Sequence, residues 1–212
     1  MVSVGSAQFI IELLPKGDSG VFDDLPLAER PRPETTNLVQ AALDVIAEVD
    51  DLAATVGCLV RACHVLAAQA GYDVSHSTPE LPLSIFVSVP AADERDAVLR
   101  LAESIVHEAM HLQLTLVESI VPLVQSTEVS AFSPWKQSAR PVQGLLHGLY
   151  VFAVIHEALD VLAAADSASR DFANRRRAEI ASEVSAIGDA RDGLTGIGVA
   201  LWDRLTASVG AH

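Results

Sequence analysis

The 212-residue chain is poor in cysteine and aromatics: it has two cysteines, Cys58 and Cys63, two tyrosines, two tryptophans and six phenylalanines. So few thiols exclude a disulfide-stapled secreted scaffold. Cys63 adjoins His64, but no second Cys or His cluster accompanies the pair, which argues against a cysteine-based zinc site. Both cysteines are expected to be reduced packing residues of a helical stretch, five apart and therefore on different faces. Basic residues are scarce too, with 14 Lys and Arg against 28 Asp and Glu and a formal charge of −14. Such a field repels phosphate backbones and anionic lipid surfaces, so neither nucleic acid nor membrane is expected as a partner. The acidity reads as that of a solvated surface. No segment reaches about 18 uninterrupted apolar residues. Residues 1–6 lack a basic stretch leading into a long apolar one, and the expected location is the cytoplasm.

What the chain does have is apolar residues in helical rhythm. Half of it is hydrophobic, enough for one sizeable core, and a single domain over residues 1–212 is expected. Residues 1–33, with Gly17, Gly20 and Arg30-Pro31-Arg32-Pro33, read as an irregular arm, and residues 34–212 as a helical core. After the capping candidates Thr35, Thr36 and Asn37, the apolar spacing predicts one long helix to Ala70, ended by Gly71. Residues 81–89 are short, β-branched and aromatic and predict the single strand. A helix starts near Ala92 or Asp93 and runs towards Val121 and Pro122. Residues 125–140 read as a loop. Pro141 suits the first turn of a helix reaching Ala165, and two more helices follow, over 167–187 and 194–209, with Gly188, Gly193, Gly196 and Gly198 loosening the joint between them. Arg175-Arg176-Arg177 reads as a solvated face among acids. The fold class is therefore mainly α: a bundle of about five helices with a short β-strand element and an irregular N-terminal arm. Too few strands are present for a jelly roll.

The chemistry is concentrated in His107-Glu108-Ala109-Met110-His111. Residues four apart on a helix share a face, so the two imidazoles can chelate one ion such as zinc or ferrous iron. An open catalytic site needs a third protein ligand. Glu118 lies in nearly the same angular direction as His107 but about 10 Å of axial rise beyond His111, too far without a break. Glu103, one turn before His107, better suits a hydrogen bond to an imidazole than the metal itself. His147, on the helix after the loop, is the expected third ligand. His156, nine residues on, faces about 180° away from it. Tyr150, one turn beyond His147, is a candidate pocket residue.

Residues 102–111, Phe132-Ser133-Pro134-Trp135-Lys136 and Arg140-Pro141-Val142-Gln143-Gly144-Leu145-Leu146-His147-Gly148 together resemble the HExxH-type peptide β-hydroxylase family. Phe86-Val87-Ser88-Val89-Pro90 resembles that family's short strand, so the likeness spans roughly residues 80–155. Its members use Fe(II) and 2-oxoglutarate to hydroxylate a β-carbon in a peptide, in the maturation of ribosomally made peptide products (RiPP biosynthesis). The resemblance implies that His107, His111 and His147 hold iron, that Arg140 or Lys136 meets the far carboxylate of 2-oxoglutarate, and that a peptide and molecular oxygen are the other partners. A fixed guanidinium suits a carboxylate geometrically. Glu108 then orients water or a hydrogen-bond network instead of carrying a proton.

Two other functions fit the same five residues. In a zinc metallopeptidase Glu108 is the general base acting on zinc-bound water. The downstream sequence lacks both the extended histidine signature and a helix-borne third glutamate at a suitable distance. In a non-catalytic peptide-binding module the metal or the core is only structural. The sequence leaves the oligomeric state and the identity of the peptide open.

Overall fold

The computed structural model describes residues 1–5, 7–12, 33–67, 72–165 and 167–210. Close contacts divide the chain into two compact units, Met1–Leu112 and Gln113–His212. Among the described residues the protein is mainly helical, with six α-helices and seven short strands.

The first unit is built on a five-stranded sheet of β1 (Val2–Val4), β2 (Ala7–Glu12), β3 (Ala62–Leu66), β4 (Ser75–His76) and β5 (Ser84–Ser88), in the order β1-β2-β3-β5-β4. The inner strands β2, β3 and β5 run parallel, and β1 and β4 flank them antiparallel. All five residues of β5 are buried, so both faces of this strand are covered. The edge at β1 is closed by a side chain. Gln40 accepts from the Ser3 amide at 2.9 Å and donates to the Ser3 carbonyl at 2.9 Å, imitating one residue of a further strand. The arm expected to be irregular thus begins as two paired strands, and residues 13–32 lie outside the described residues.

Over its described residues, the one long helix expected over 35–70 is three elements: α1 (Pro33–Ala47), α2 (Asp50–Leu59) and β3; residues 68–71, with the expected end at Gly71, lie outside the described residues. The helix ends where Glu48 and Val49 donate to carbonyls three residues back, at 3.2 and 3.1 Å. Val49 is extended, and Asp50 and Asp51 then occupy the first turn of α2, where carboxylates meet the positive end of the helix dipole. From Ala62 onward the backbone pairs with β2 on one side and β5 on the other. That gain outweighs a helical period that an apolar run of this length does not settle. Cys58 consequently sits exposed on α2 and Cys63 buried on β3, not on two faces of one helix. α3 (Ala97–Glu118) completes the unit and continues into the second. It starts four or five residues later than expected because residues 92–96 form turns, and the Asp96 carbonyl accepts the first helical bond, from Arg100, at 2.9 Å.

The second unit holds a hairpin of β6 (Ser130–Ser133) and β7 (Ser138–Pro141) followed by α4 (Val142–Ala165), α5 (Ser167–Ser185), a 3-10 turn (Arg191–Gly193) and α6 (Gly196–Gly210). α4 packs on both α5 and α6, burying Leu145, Leu146, Leu149 and Val151 with Ile180 and Trp202. Within α4, Val142–Leu162 is long and apolar enough to cross a membrane, but most of it is buried inside the protein. The expected loop over 125–140 therefore contains a hairpin, and Pro141 closes β7 instead of opening the helix. The joint before α6 is pinned, not loosened. Thr195 Oγ1 accepts from the Gly198 amide at 3.1 Å as a helix cap, and a Cβ on Gly198 would stand 2.1 Å from the Leu123 carbonyl oxygen. In the triple-arginine run, Arg177 pairs with Asp160 at 2.6 Å and Arg176 with Glu179 at 3.1 Å, and both side chains are half-buried, so the run is only in part the solvated face expected.

Candidate metal centre

α3 is amphipathic, and its apolar stripe of Leu101, Ile105, Ala109 and Met110 is buried. His107 and His111 sit at the half-buried margin of that stripe. Their Nε2 atoms are 3.2 Å apart and their rings meet edge-on at 69°. Two imidazole nitrogens bound to one ion at about 2.1 Å, with an angle between about 90° and 109°, lie about 3.0–3.4 Å apart. The pair thus has the bite of a metal chelate, and the residues present fit an ion. The same separation lets one neutral ring donate to the other.

Glu108, between them, turns into the core and is 3% exposed. Its Oε1 accepts from the Ser75 hydroxyl at 2.6 Å. Two turns earlier on α3, Arg100 makes a forked pair with Asp73, both bonds at 2.7 Å, and reaches Glu94 at 3.0 Å. These carboxylates push the Arg100 pKa up from its ordinary value, the bond to Asp73 most of all. Asp73 and Ser75 thus fasten the segment containing β4 along α3. On β4, His76 stands opposite Phe86 of β5, which stands opposite His64 of β3. The His64 and Phe86 rings stack at 4.8 Å, so His64 is a packed core histidine.

Within the second unit, His147 lies on α4 with its Nε2 2.9 Å from Glu118 Oε2. Gln143, one turn earlier, donates to the same oxygen at 3.1 Å. Glu118, set aside above as a metal ligand, is therefore the carboxylate that meets His147. Tyr150 donates its hydroxyl to Gln113 Oε1, and burial pushes its pKa up. His156 is buried at 4% exposure on the same helix.

Arg140 is exposed on β7, and among the described residues neither it nor Lys136 takes part in an ion pair. Lys136 is exposed in the hairpin turn. The residue before it, Trp135, anchors that turn. Its ring stacks on Phe152 at 5.0 Å, its Nε1 donates to Glu183 at 3.1 Å, and a Cβ on Gly148 would stand 2.7 Å from it. The Ser-Pro-Trp-Lys turn and the His147-Gly148 pair are thus one packing unit.

Among the described residues no cluster of three or more His, Cys, Asp or Glu side chains is gathered as a ligand set. Sequence reasoning missed Ser75, Asp73 and Gln143. Gln143 had a signal, since it stands four residues before His147 on one helix face; Ser75, in a two-residue strand, had none. The chain matches no model of a known protein family and no curated protein.

Proposed function

We propose that the chain is an iron(II)- and 2-oxoglutarate-dependent oxygenase that hydroxylates the β-carbon of a residue in a peptide, in the maturation of a ribosomally made product. The observation that carries this is the His107–His111 pair, with Nε2 atoms 3.2 Å apart. His147 enters as third ligand on its position in the helix after the loop and on the resemblance of residues 140–148. Ferrous iron, with 2-oxoglutarate and dioxygen, supplies the oxidising power for C–H hydroxylation, releasing succinate and carbon dioxide. His107 and His111 hold the metal and leave coordination positions for ligands from solution. Arg140, exposed and without an ion pair among the described residues, binds the far carboxylate of the cosubstrate, with Lys136 as the second cation.

The setting of Glu108 supports this reading over a zinc peptidase. A peptidase needs that carboxylate to take a proton from metal-bound water. Here it is 3% exposed and accepts a hydrogen bond from Ser75, which suits a group that fixes α3 and orients its neighbours. The test is anaerobic loading with Fe(II), then addition of 2-oxoglutarate and oxygen, with succinate as readout. Iron-dependent succinate that is lost in His107→Ala and His111→Ala is expected. Zinc-dependent amide cleavage without succinate would replace the oxygenase with the peptidase. A binding module would keep its peptide affinity in His111→Ala and turn nothing over.

A further inference from the structure

We propose that the edge of β4 receives the peptide substrate as an added antiparallel strand, which turns one of its β-carbons towards the His107–His111 pair. This rests on the reading above that the substrate is a peptide. Among the described residues β4 is the outermost strand of its sheet. It pairs with β5 as Ser75↔Val87 and His76↔Phe86, and the Ser88 amide donates to the Val74 carbonyl at 2.7 Å. In an antiparallel ladder, residues that bond inward alternate with residues that bond outward. Val74 and His76 therefore turn their backbone groups to β5, and Ser75 turns its N–H and C=O away from it. Among the described residues those two groups make no backbone bond. A donor and an acceptor on one edge residue are what an extended chain pairs with, about 4.8 Å away.

The side chains decide what such a strand faces. Ser75 points to α3, where its hydroxyl meets Glu108 at 2.6 Å, and Asp73 forks onto Arg100 of the same helix, so β4 runs along α3. Successive helical residues turn by about 100°. Between residues 101 and 112, the buried Leu101, Ile105, Ala109 and Leu112 lie about 20–100° to one side of Glu108, and His111 and His107 about 60° and 100° to the other. Glu108 stands under the outermost strand, so the histidines turn beyond the edge of the sheet, to where an added strand runs. Residues directly opposite on neighbouring strands share a face. The peptide residue opposite Ser75 thus directs its Cβ to the α3 side, and the residues next to it point away. That residue exchanges both backbone bonds with Ser75, so it needs an N–H and is not proline.

The test uses the full 15N-labelled chain and a pool of short capped peptides of random sequence at millimolar concentration. Hydrogen exchange read by NMR follows each backbone amide. The Ser75 amide is expected to exchange about tenfold more slowly with the pool than without it, while the His76 amide, bonded to β5, keeps its rate. The same pool N-methylated on its backbone should slow nothing. Ser75→Ala and Ser75→Pro both lack the hydroxyl, but only the second lacks the outward N–H. The shift that the peptides induce in the His76 amide signal should survive in Ser75→Ala and vanish in Ser75→Pro. An unchanged Ser75 rate, equal slowing by the N-methylated pool, or a full shift in Ser75→Pro overturns the proposal. The exchange arm needs no variant, so it stands even if a substitution prevents folding. Iron-dependent succinate is measured separately: turnover without protection of Ser75 removes the docking edge, and protection without turnover removes the oxygenase and leaves the edge.

Discussion

The hydroxyl of Ser75 stands 2.6 Å from the carboxylate of Glu108, tying a two-residue strand to the turn of α3 that carries His107 and His111. Ser75→Ala removes a donor from a carboxylate that is 3% exposed. The expected loss is about 1–3 kcal/mol of stability, read from urea unfolding. Ser75→Thr keeps the hydroxyl and should recover most of it. Equal stability of wild type and Ser75→Ala would show that the bond does not hold Glu108.

Gly148 is a second fixed point, because Trp135 occupies the space a side chain there would need. Gly148→Ala should displace the indole and destabilise by about 1–3 kcal/mol through overpacking. Tryptophan emission should shift to the red as Trp135 moves towards water. An unshifted spectrum would place the strain elsewhere.

The two thiols should differ sharply in reactivity. Cys58 is exposed, whereas Cys63 is buried on β3 and burial pushes its thiol up to about 12. The thiolate is the nucleophile, so iodoacetamide at mild alkaline pH should label one cysteine in the folded protein, Cys58, and both in urea. Labelling of Cys63 without denaturant would contradict its burial.

Tyr150 gives a pH dependence. Burial raises its pKa, so the fold favours the neutral phenol. That contribution is fully present below the unfolded value of about 10 and is lost as pH rises through the folded value. Ultraviolet titration should show one of the two tyrosines ionising late, and Tyr150→Phe should remove that step.

How much of this was legible depends on the length of each signal. α3 and α4 were readable because many apolar residues repeat with helical period. β5 was readable because Ile85, Phe86 and Val87 form a compact β-rich run between prolines. Cys63-His64-Val65-Leu66 was not, because a short apolar run fits helix and strand equally, and its state is decided by distant partners, Ile11 and Ile85 among them. The hairpin was hidden by its turn: Ser133, Pro134 and Lys136 are loop residues, and four-residue strands leave little alternation to read. At the site, the histidine pair was legible from spacing alone. The partners of Glu108 and His147 were not, since Ser75 and Glu118 lie 33 and 29 residues away in sequence, and such pairings are made only by tertiary packing.

The most direct measurement is an anaerobic titration of the metal-free protein with Fe(II) and 2-oxoglutarate, followed by visible absorption. A keto acid chelating protein-bound ferrous iron produces a charge-transfer band, and no peptide is needed to see it. The band should saturate at one iron per chain, vanish in His107→Ala and His111→Ala, and require more 2-oxoglutarate in Arg140→Ala. A protein that binds the iron through these histidines but develops no band with 2-oxoglutarate would contradict the oxygenase assignment.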